Sequence, residues 1–309
     1  MAEIKGLRGL LKSGEITAES QRVGGVLRPQ QASRIIDLMV ESDDFLGKVT
    51  VERSSRLQKD VDVYEIAQEV LVRVPEGEEP AAFAQITNEG CTLNMLPAQL
   101  FGRVLFSSLR DNQDNPQFES QLLKKWSARF AENVVRLGFV GVADTYASKK
   151  FTELNKGWVQ LLKDAGGKTH TVDAAAYVQS GATDWPEYLG AVIEALPDRY
   201  KSAKCKIVMN ISDHEALIRQ IGRRDGMGAV LLEGKLKEML GYDIERVGAM
   251  PRGTVIFTPL ENLIYGACTQ IERYRELNGK GRCIDYTFDM PFDYQVAIPD
   301  AAAIGYAAG

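Results

Sequence analysis

Histidine is nearly absent from this chain of 309 residues, which holds only His170 and His214. They stand 44 positions apart with no cysteine or acidic residue at zinc spacing, so no metal residues are assigned, and His214 reads as a surface residue in the first turn of an exposed helix. Cysteine is scarce as well. Cys91, Cys205, Cys268 and Cys283 lie 114, 63 and 15 residues apart without a C-x-x-C pair, which excludes a disulfide framework and leaves four small core residues. Long apolar runs are missing. The longest uncharged window near the middle, Gly90 to Gly102, spans 13 residues around Pro97 and is too short to cross a bilayer. Glu3, Lys5, Arg8 and Lys12 break up any secretory apolar stretch near the start. Basic excess is lacking too: 37 Lys plus Arg against 42 Asp plus Glu give a net charge of −5, which excludes a domain whose main task is to neutralise phosphates. The expectation is a soluble protein made in the cytoplasm, with no membrane partner.

Signals for chemistry are equally thin. A G-x-S-x-G nucleophile elbow does not occur. The carboxylate pairs Asp43-Asp44 and Glu78-Glu79 fall on predicted turns, where solvation does not drive two pKa values apart. Gly167-Lys168-Thr169 matches the end of a phosphate-binding loop, but Leu162 stands where its first glycine belongs. A helix precedes it and an extended stretch follows, so it reads as a helix C-terminal turn. Gly228 to Lys235 fails as well, with Leu236 in place of Ser or Thr. No catalytic and no cofactor-binding residues are assigned.

What is present is ordinary globular material, 45% hydrophobic and 26% charged, in a length that suits one large domain or two ordinary ones. Residues 1–45 read as a mostly helical arm. Leu7, Leu10 and Leu11 keep helical spacing, Gly24-Gly25 breaks the run, and Pro29 to Val40 starts a second periodic stretch. From Lys48 to Cys91 the period drops to two: Val49 and Val51, Val61 and Val63, then Val70, Val72 and Val74 alternate with polar neighbours. That pattern predicts an extended hairpin with both faces partly wet, which needs cover from outside its own core. Arg53, Arg56 and Lys59 on its first limb oppose Glu65, Glu69, Glu76, Glu78 and Glu79 on the return. Two readings stay open for these charges, a solvated ribbon or an arm that pairs with a neighbouring subunit.

Asn115-Pro116 predicts a helix start. Phe118, Leu122, Trp126, Phe130, Val134 and Leu137 then draw one apolar stripe, and Gly138 reads as the stop, giving a long helix over 116–138. Further on, helices are predicted over Leu154–Leu162, Trp185–Leu196, His214–Ile221 behind a Ser212-Asp213 cap, and Lys235–Leu240. Strands are predicted over Lys206–Met209, Tyr242–Val247, Thr254–Thr258 and Leu263–Tyr265, with a strand-rich, aromatic end from Ile271 to Val296. The fold class is α+β.

This order of parts resembles the major capsid protein of tailed phages, the Hong Kong 97-type fold, and is most similar to the capsid proteins of the P-two phages. Glu41-Ser42-Asp43-Asp44-Phe45-Leu46 looks like the family's lead into the E-loop, and Gly157-Trp158-Val159-Gln160 like its G-W-L-Q segment. Leu260-Glu261-Asn262-Leu263 with Tyr265 looks like the L-E-N-L strand, and Arg273 to Tyr294, with Tyr286 and Asp293-Tyr294, like the closing segment. The resemblance implies an N-terminal arm over 1–45, an E-loop over 46–92, a P-domain over 93–184 around the spine helix, an A-domain over 185–270, and C-terminal strands over 271–309 returning to the P-domain. It implies a structural protein that self-assembles into pentamers and hexamers of an icosahedral shell in a virion, built in the host cytoplasm. Packaged double-stranded DNA would be held without sequence reading, with room for scaffold, portal and decoration proteins, and Arg53, Arg56, Lys59, Glu76, Glu78 and Glu79 become candidate contacts between subunits. An encapsulin-type compartment shares the fold. A cytoplasmic nucleotide-binding enzyme, motivated by Gly167-Lys168-Thr169, is the rival of another class.

Overall fold

The computed structural model describes residues 22–26, 29–62, 64–66, 86–88, 90–112, 115, 117–144, 150–179, 182–223 and 237–307. In chain order they form β1 (Arg22–Val26), α1 (Pro29–Ser42), β2 (Thr50–Ser54), β3 (Gln58–Val61), β4 (Tyr64–Ile66), β5 (Ile86–Asn88), β6 (Cys91–Asn94), β7 (Leu96–Leu105), α2 (Phe106–Asp111) and α3 (Phe118–Val140). There follow α4 (Trp158–Asp164), β8 (His170–Asp173), β9 (Val178–Gln179), β10 (Ala182–Thr183), α5 (Trp185–Ala195), β11 (Cys205–Met209) and α6 (Ile211–Arg223). The last part holds β12 (Glu238–Met239), β13 (Tyr242–Arg246), β14 (Val255–Pro259), β15 (Leu263–Cys268), β16 (Glu272–Asn278), β17 (Cys283–Val296) and β18 (Ala303–Tyr306).

The apolar stripe of α3 decides where the sheets go. Its 23 residues span about 34 Å at the helical rise. Leu122 and Trp126 pack on Val104, Tyr286 and Phe288, Phe130 meets Phe292 edge-on, and Val134 and Leu137 are buried in the main core. The helix starts two residues later than the Asn115-Pro116 signal predicts, because the Asn115 side chain caps the turn before it, accepting from the Gln117 N–H at 3.0 Å. It also passes through Gly138. That glycine is no stop: a Cβ there would lie 2.5 Å from the Trp158 ring, so its bare Cα is the seat of the indole. The helix ends at Gly141 instead, whose N–H donates to the Leu137 carbonyl.

A first sheet lies under α3 in the order β1-β16-β17-β15-β2, with β7 also paired to β17. Two of its strands correct the sequence reading. Gly24-Gly25 break no helix; they sit inside β1, opposite Tyr274 and Arg273 of β16. Thr50–Ser54 is not a hairpin limb but runs parallel to β15, which buries Val49 and half-buries Val51. The hairpin itself is real, with limbs β3 and β6 and then β4 and β5 paired antiparallel, and it begins at Gln58 rather than Lys48. Residues 67–85, with the Val70, Val72, Val74 alternation and Glu76, Glu78 and Glu79, lie outside the described residues, as do residues 1–21.

The second sheet runs β12-β13-β11-β14-β18-β8. Ile207, Met209, Val255 and Phe257 turn to α5 and α6, while Val208, Ile256 and Ile304 turn to the core shared with α3 and the first sheet. Burial on both faces explains why β11 and β14 read as continuous apolar runs. Membership crosses the expected divisions: β8 and β18 join this sheet, and β15 belongs to the first. Three local readings also change. Asn210, not Ser212-Asp213, caps α6, its side chain accepting from the Ser212 N–H, and Asp213 is buried, accepting from the Gly253 N–H at 2.7 Å. His214 is buried, at 3% exposure, not on the surface. Glu238–Met239 is strand rather than helix, because Leu240 and Gly241 both take positive φ and fold the chain directly back into β13.

Helix propensity alone favours alanine over glycine by about 1 kcal/mol. Gly138→Ala is nonetheless expected to lower stability by about 1–3 kcal/mol, since the added methyl overpacks Trp158. Urea unfolding measures this, and a stabilised variant would mean that the indole can shift.

Candidate assembly surface

The hairpin leaves the body where β6 crosses β17, and polar side chains fasten it there. The Asn94 N–H donates to Asp293 Oδ2 at 2.8 Å, and Gln295 Nε2 donates to the Thr92 carbonyl at 3.2 Å. Leu93 of β6 and Met95, between β6 and β7, are buried with Ile264 and Cys268 of β15. Asp293 occupies the outward step of an alternating strand whose neighbours Phe292 and Tyr294 point into the core. Asn155 Nδ2 bonds the Phe292 carbonyl at 3.1 Å and reaches Asp293 Oδ1 at 3.5 Å. Burial pushes the Asp293 carboxyl up to about 6, against the hydrogen bonds that favour its charge. The same burial raises the Cys91 thiol, with Asp293 and Glu52 adding to it.

The motifs that carried the family resemblance turn out to be joints. Trp158 is fully buried and its Nε1–H donates to the Ile264 carbonyl at 2.9 Å. Asn262 accepts from the Ile298 N–H at 2.7 Å and donates to the Ile298 carbonyl at 2.9 Å, clamping the approach to β18. Leu260–Asn262 is a single 3-10 turn, and the strand begins only at Leu263. The Tyr294 hydroxyl donates to the Val134 carbonyl at 2.6 Å, tying β17 to α3.

Of the candidate contact residues, Arg53 pairs with Asp37 and Lys59 with Glu52, each at 2.6 Å, within the chain. Arg56 is exposed at the bend between β2 and β3. Glu76, Glu78 and Glu79 lie outside the described residues. Sequence reasoning missed the fastening role of Asp293, Asn155 and Gln295. Their one signal was a charge set in the apolar strand Pro291-Phe292-Asp293-Tyr294.

A groove of about 1340 Å³ between α3 and β13 is wider than a typical ligand pocket and is crossed by the ion pairs Lys48–Glu245 and Lys206–Asp243. Lys168 ends a 3-10 turn between α4 and β8, so its segment runs from helix to strand, the reverse of a phosphate-binding loop. Among the described residues no group of three or more His, Cys, Asp or Glu could hold a metal ion, and no helix is long and apolar enough to cross a membrane.

Because the native Asp293 carboxyl keeps its proton up to about pH 6 while an unfolded one loses it near 4, the native state holds the extra proton between those values. Its contribution therefore falls as pH rises from about 4 to 6 and is flat above. Asp293→Asn is expected to match the parent below about pH 4 and to exceed it by about 1–3 kcal/mol at pH 7, read by urea unfolding across that range. Equal stability at every pH would mean that water reaches the carboxylate.

No family model matches the sequence, and no curated protein matches it. Solved structures do. A chain of the satellite phage P4 procapsid with its size determination (Sid) protein superposes with a TM-score of 0.70 at 15% identity, over 89% of this chain and 98% of that one. A chain from the capsid of the native GTA particle gives 0.59 at 16%, over 100% and 99%. The virus-like particle from Pyrococcus furiosus gives 0.52 at 11%, over 89% and 97%. With the long helix laid on one sheet, a hairpin reaching out from it and a second sheet beyond, the chain has the fold of phage capsid subunits, as the resemblance in its sequence implied.

Proposed function

We propose that this protein is a structural shell subunit, a major capsid protein that closes into pentamers and hexamers around phage double-stranded DNA. The observation that carries the reading is coextension: the fold of a procapsid chain is matched over 98% of its length, with little of either chain left for another task. In this reading α3 and the first sheet make the P-domain, the second sheet with α5 and α6 makes the A-domain, and the hairpin is the E-loop lying over an adjacent subunit. Rings of five and six need the same patches to meet at two angles. A two-stranded arm fastened to the body at its root can keep contacts with a neighbour while the root takes up the difference. A role in the virion follows, with scaffold, portal and decoration proteins as partners, and the role is structural rather than catalytic.

The home pairs of Arg53 and Lys59 refine the contact proposal. A contact to a neighbour through either would exchange one exposed ion pair for another, with little net gain. Arg56, exposed at the bend where the chain enters the hairpin, stays a candidate for setting register between subunits, with Glu76, Glu78 and Glu79 as its proposed acidic counterparts. The match to a virus-like particle favours a second reading, a compartment shell of the same fold, which nuclease-resistant DNA inside purified shells would exclude.

Excising residues 63–89 and joining Asp62 to Gly90 through Asn-Gly keeps the β3–β6 pair, since Val61 already faces Cys91. The variant is expected to melt cooperatively yet sediment as single chains or small rings. The parent should form shells of at least roughly 2 MDa, about 60 chains of 34.2 kDa. Normal shells from the excised protein would overturn the assembly role of the hairpin.

A further inference from the structure

On the side of the first sheet turned away from α3, one row of side chains crosses three strands. It holds Tyr274 of β16, Thr287 of β17 and Phe101 of β7, and its two rings are exposed, at 40% and 71%. Carboxylates run along both flanks of the row. Glu272 stands directly opposite Asp289, and Glu276 directly opposite Asp285. Like charges in that position destabilise a sheet. Arg103 relieves one flank, pairing with Asp285 at 2.6 Å. On the other flank the described partners are neutral: the Tyr274 hydroxyl donates to Glu272, and Gln99 Nε2 donates to Asp289 Oδ2 at 2.9 Å. Asp289 Oδ1 is shut off from solvent and has no hydrogen-bond partner among the described residues.

This plate carries three costs at once: rings left in water, carboxylates facing carboxylates, and an acceptor without a donor. A surface that is costly to the folded chain in this way gains from a partner of the opposite charge. Lys and Arg side chains fit it, because ring faces attract cations and because their N–H groups bring donors to a flank that lacks them.

Bases of this chain do not suit the place. Arg273 and Arg275, the alternate residues of β16, lie on the other side of the sheet with the exposed Lys124 and Lys125 of α3. A second copy presenting them would set helix side on sheet side, copy upon copy, rather than side by side. The hairpin of a second copy brings Arg56 together with Glu65, Glu69, Glu76, Glu78 and Glu79, which the plate repels. We propose that the plate is a docking surface for a cationic segment of a protein other than this chain, whose Lys or Arg side chains lie over Phe101 and Tyr274 between the carboxylate rows. The inference goes beyond the shell reading and does not depend on it, since the plate is formed within one subunit.

The test titrates fluorescein-labelled octa-arginine with the unassembled full chain, followed by anisotropy. Glu272→Gln/Glu276→Gln is expected to raise Kd about three- to tenfold, the range of two exposed ion pairs. Phe101→Ala changes no charge and is expected to raise Kd about two- to fivefold through the lost ring face. Glu41→Gln/Asp44→Asn, which removes two acids away from the plate, should leave Kd unchanged. The Glu272→Gln/Glu276→Gln chain should also unfold at the same or a higher urea concentration than the parent, because the opposed charges are gone. Undetectable binding by the parent, an unchanged Kd in Phe101→Ala, or equal loss in Glu41→Gln/Asp44→Asn would overturn the proposal. So would shells of the parent that bind octa-arginine no better than shells of Glu272→Gln/Glu276→Gln, which would assign the plate to a contact between copies. Sedimentation judges the shell reading separately: a parent that never assembles refutes that reading, and the single-chain titrations still decide the plate.

Discussion

Trp158 is the contact on which the rest of the structure depends. Its ring fits because position 138 carries no side chain, and its indole N–H ends on the Ile264 carbonyl of β15. Around it stand Tyr294 at 5.0 Å, Phe139 at 5.5 Å and Phe45 at 5.9 Å between ring centroids, tilted or edge-on. One side chain thus joins α3, α4, the strands β15 and β17 of the first sheet and the link from α1 to β2. The next step outward follows from strand geometry. Tyr294 points in and bonds α3, so Asp293 must point the other way, and there it holds the Asn94 N–H at the hairpin root. The arm is therefore positioned by the same two residues that lock the core.

Much of this was legible because it is periodic. The four-residue repeat from Phe118 to Leu137 could only be one buried stripe, and the apolar runs of β11 and β14 could only be strands buried on both faces. What stayed hidden depends on partners distant in sequence. Thr50–Ser54 alternates like any half-wet strand, and nothing local says that it runs beside Leu263–Cys268, more than 200 residues on. Gly24-Gly25 looks like a helix break because glycine marks many things, among them an edge strand. Gly138 misled for the same reason: a glycine that admits a ring reads, in one dimension, like one that ends a helix. Leu240 at positive φ defeated turn recognition because leucine is a rare occupant of that conformation. His214 reads as a surface residue because polar side chains usually are, and Asp213 as a cap because acids favour helix starts, but here the α6 face that carries both is packed.

The assembly surface was legible as composition but not as geometry. A basic stretch and an acidic stretch could be counted from the sequence, yet which charges are spent at home could not. Arg53 finds Asp37 only because α1 folds over β2, and Lys59 finds Glu52 only because β2 leaves the hairpin for the sheet. The quoted motifs fared better because each is a joint whose chemistry demands its residue type. An indole donor under a bare Cα and a carboxamide that both donates to and accepts from one peptide unit admit few substitutes.

Net charge and local charge give different answers here, and the period of the strand explains why. A total of −5 describes the chain as a whole. A partner meets a face, not a chain, and at physiological salt it responds only to charges within about 8 Å. In β16, one step along the backbone moves a side chain to the opposite side of the sheet, so acids and bases that cancel in the sum are separated in space. The helix laid on the basic side adds its own lysines there, and the aromatic pair on the acidic side stays clear of them.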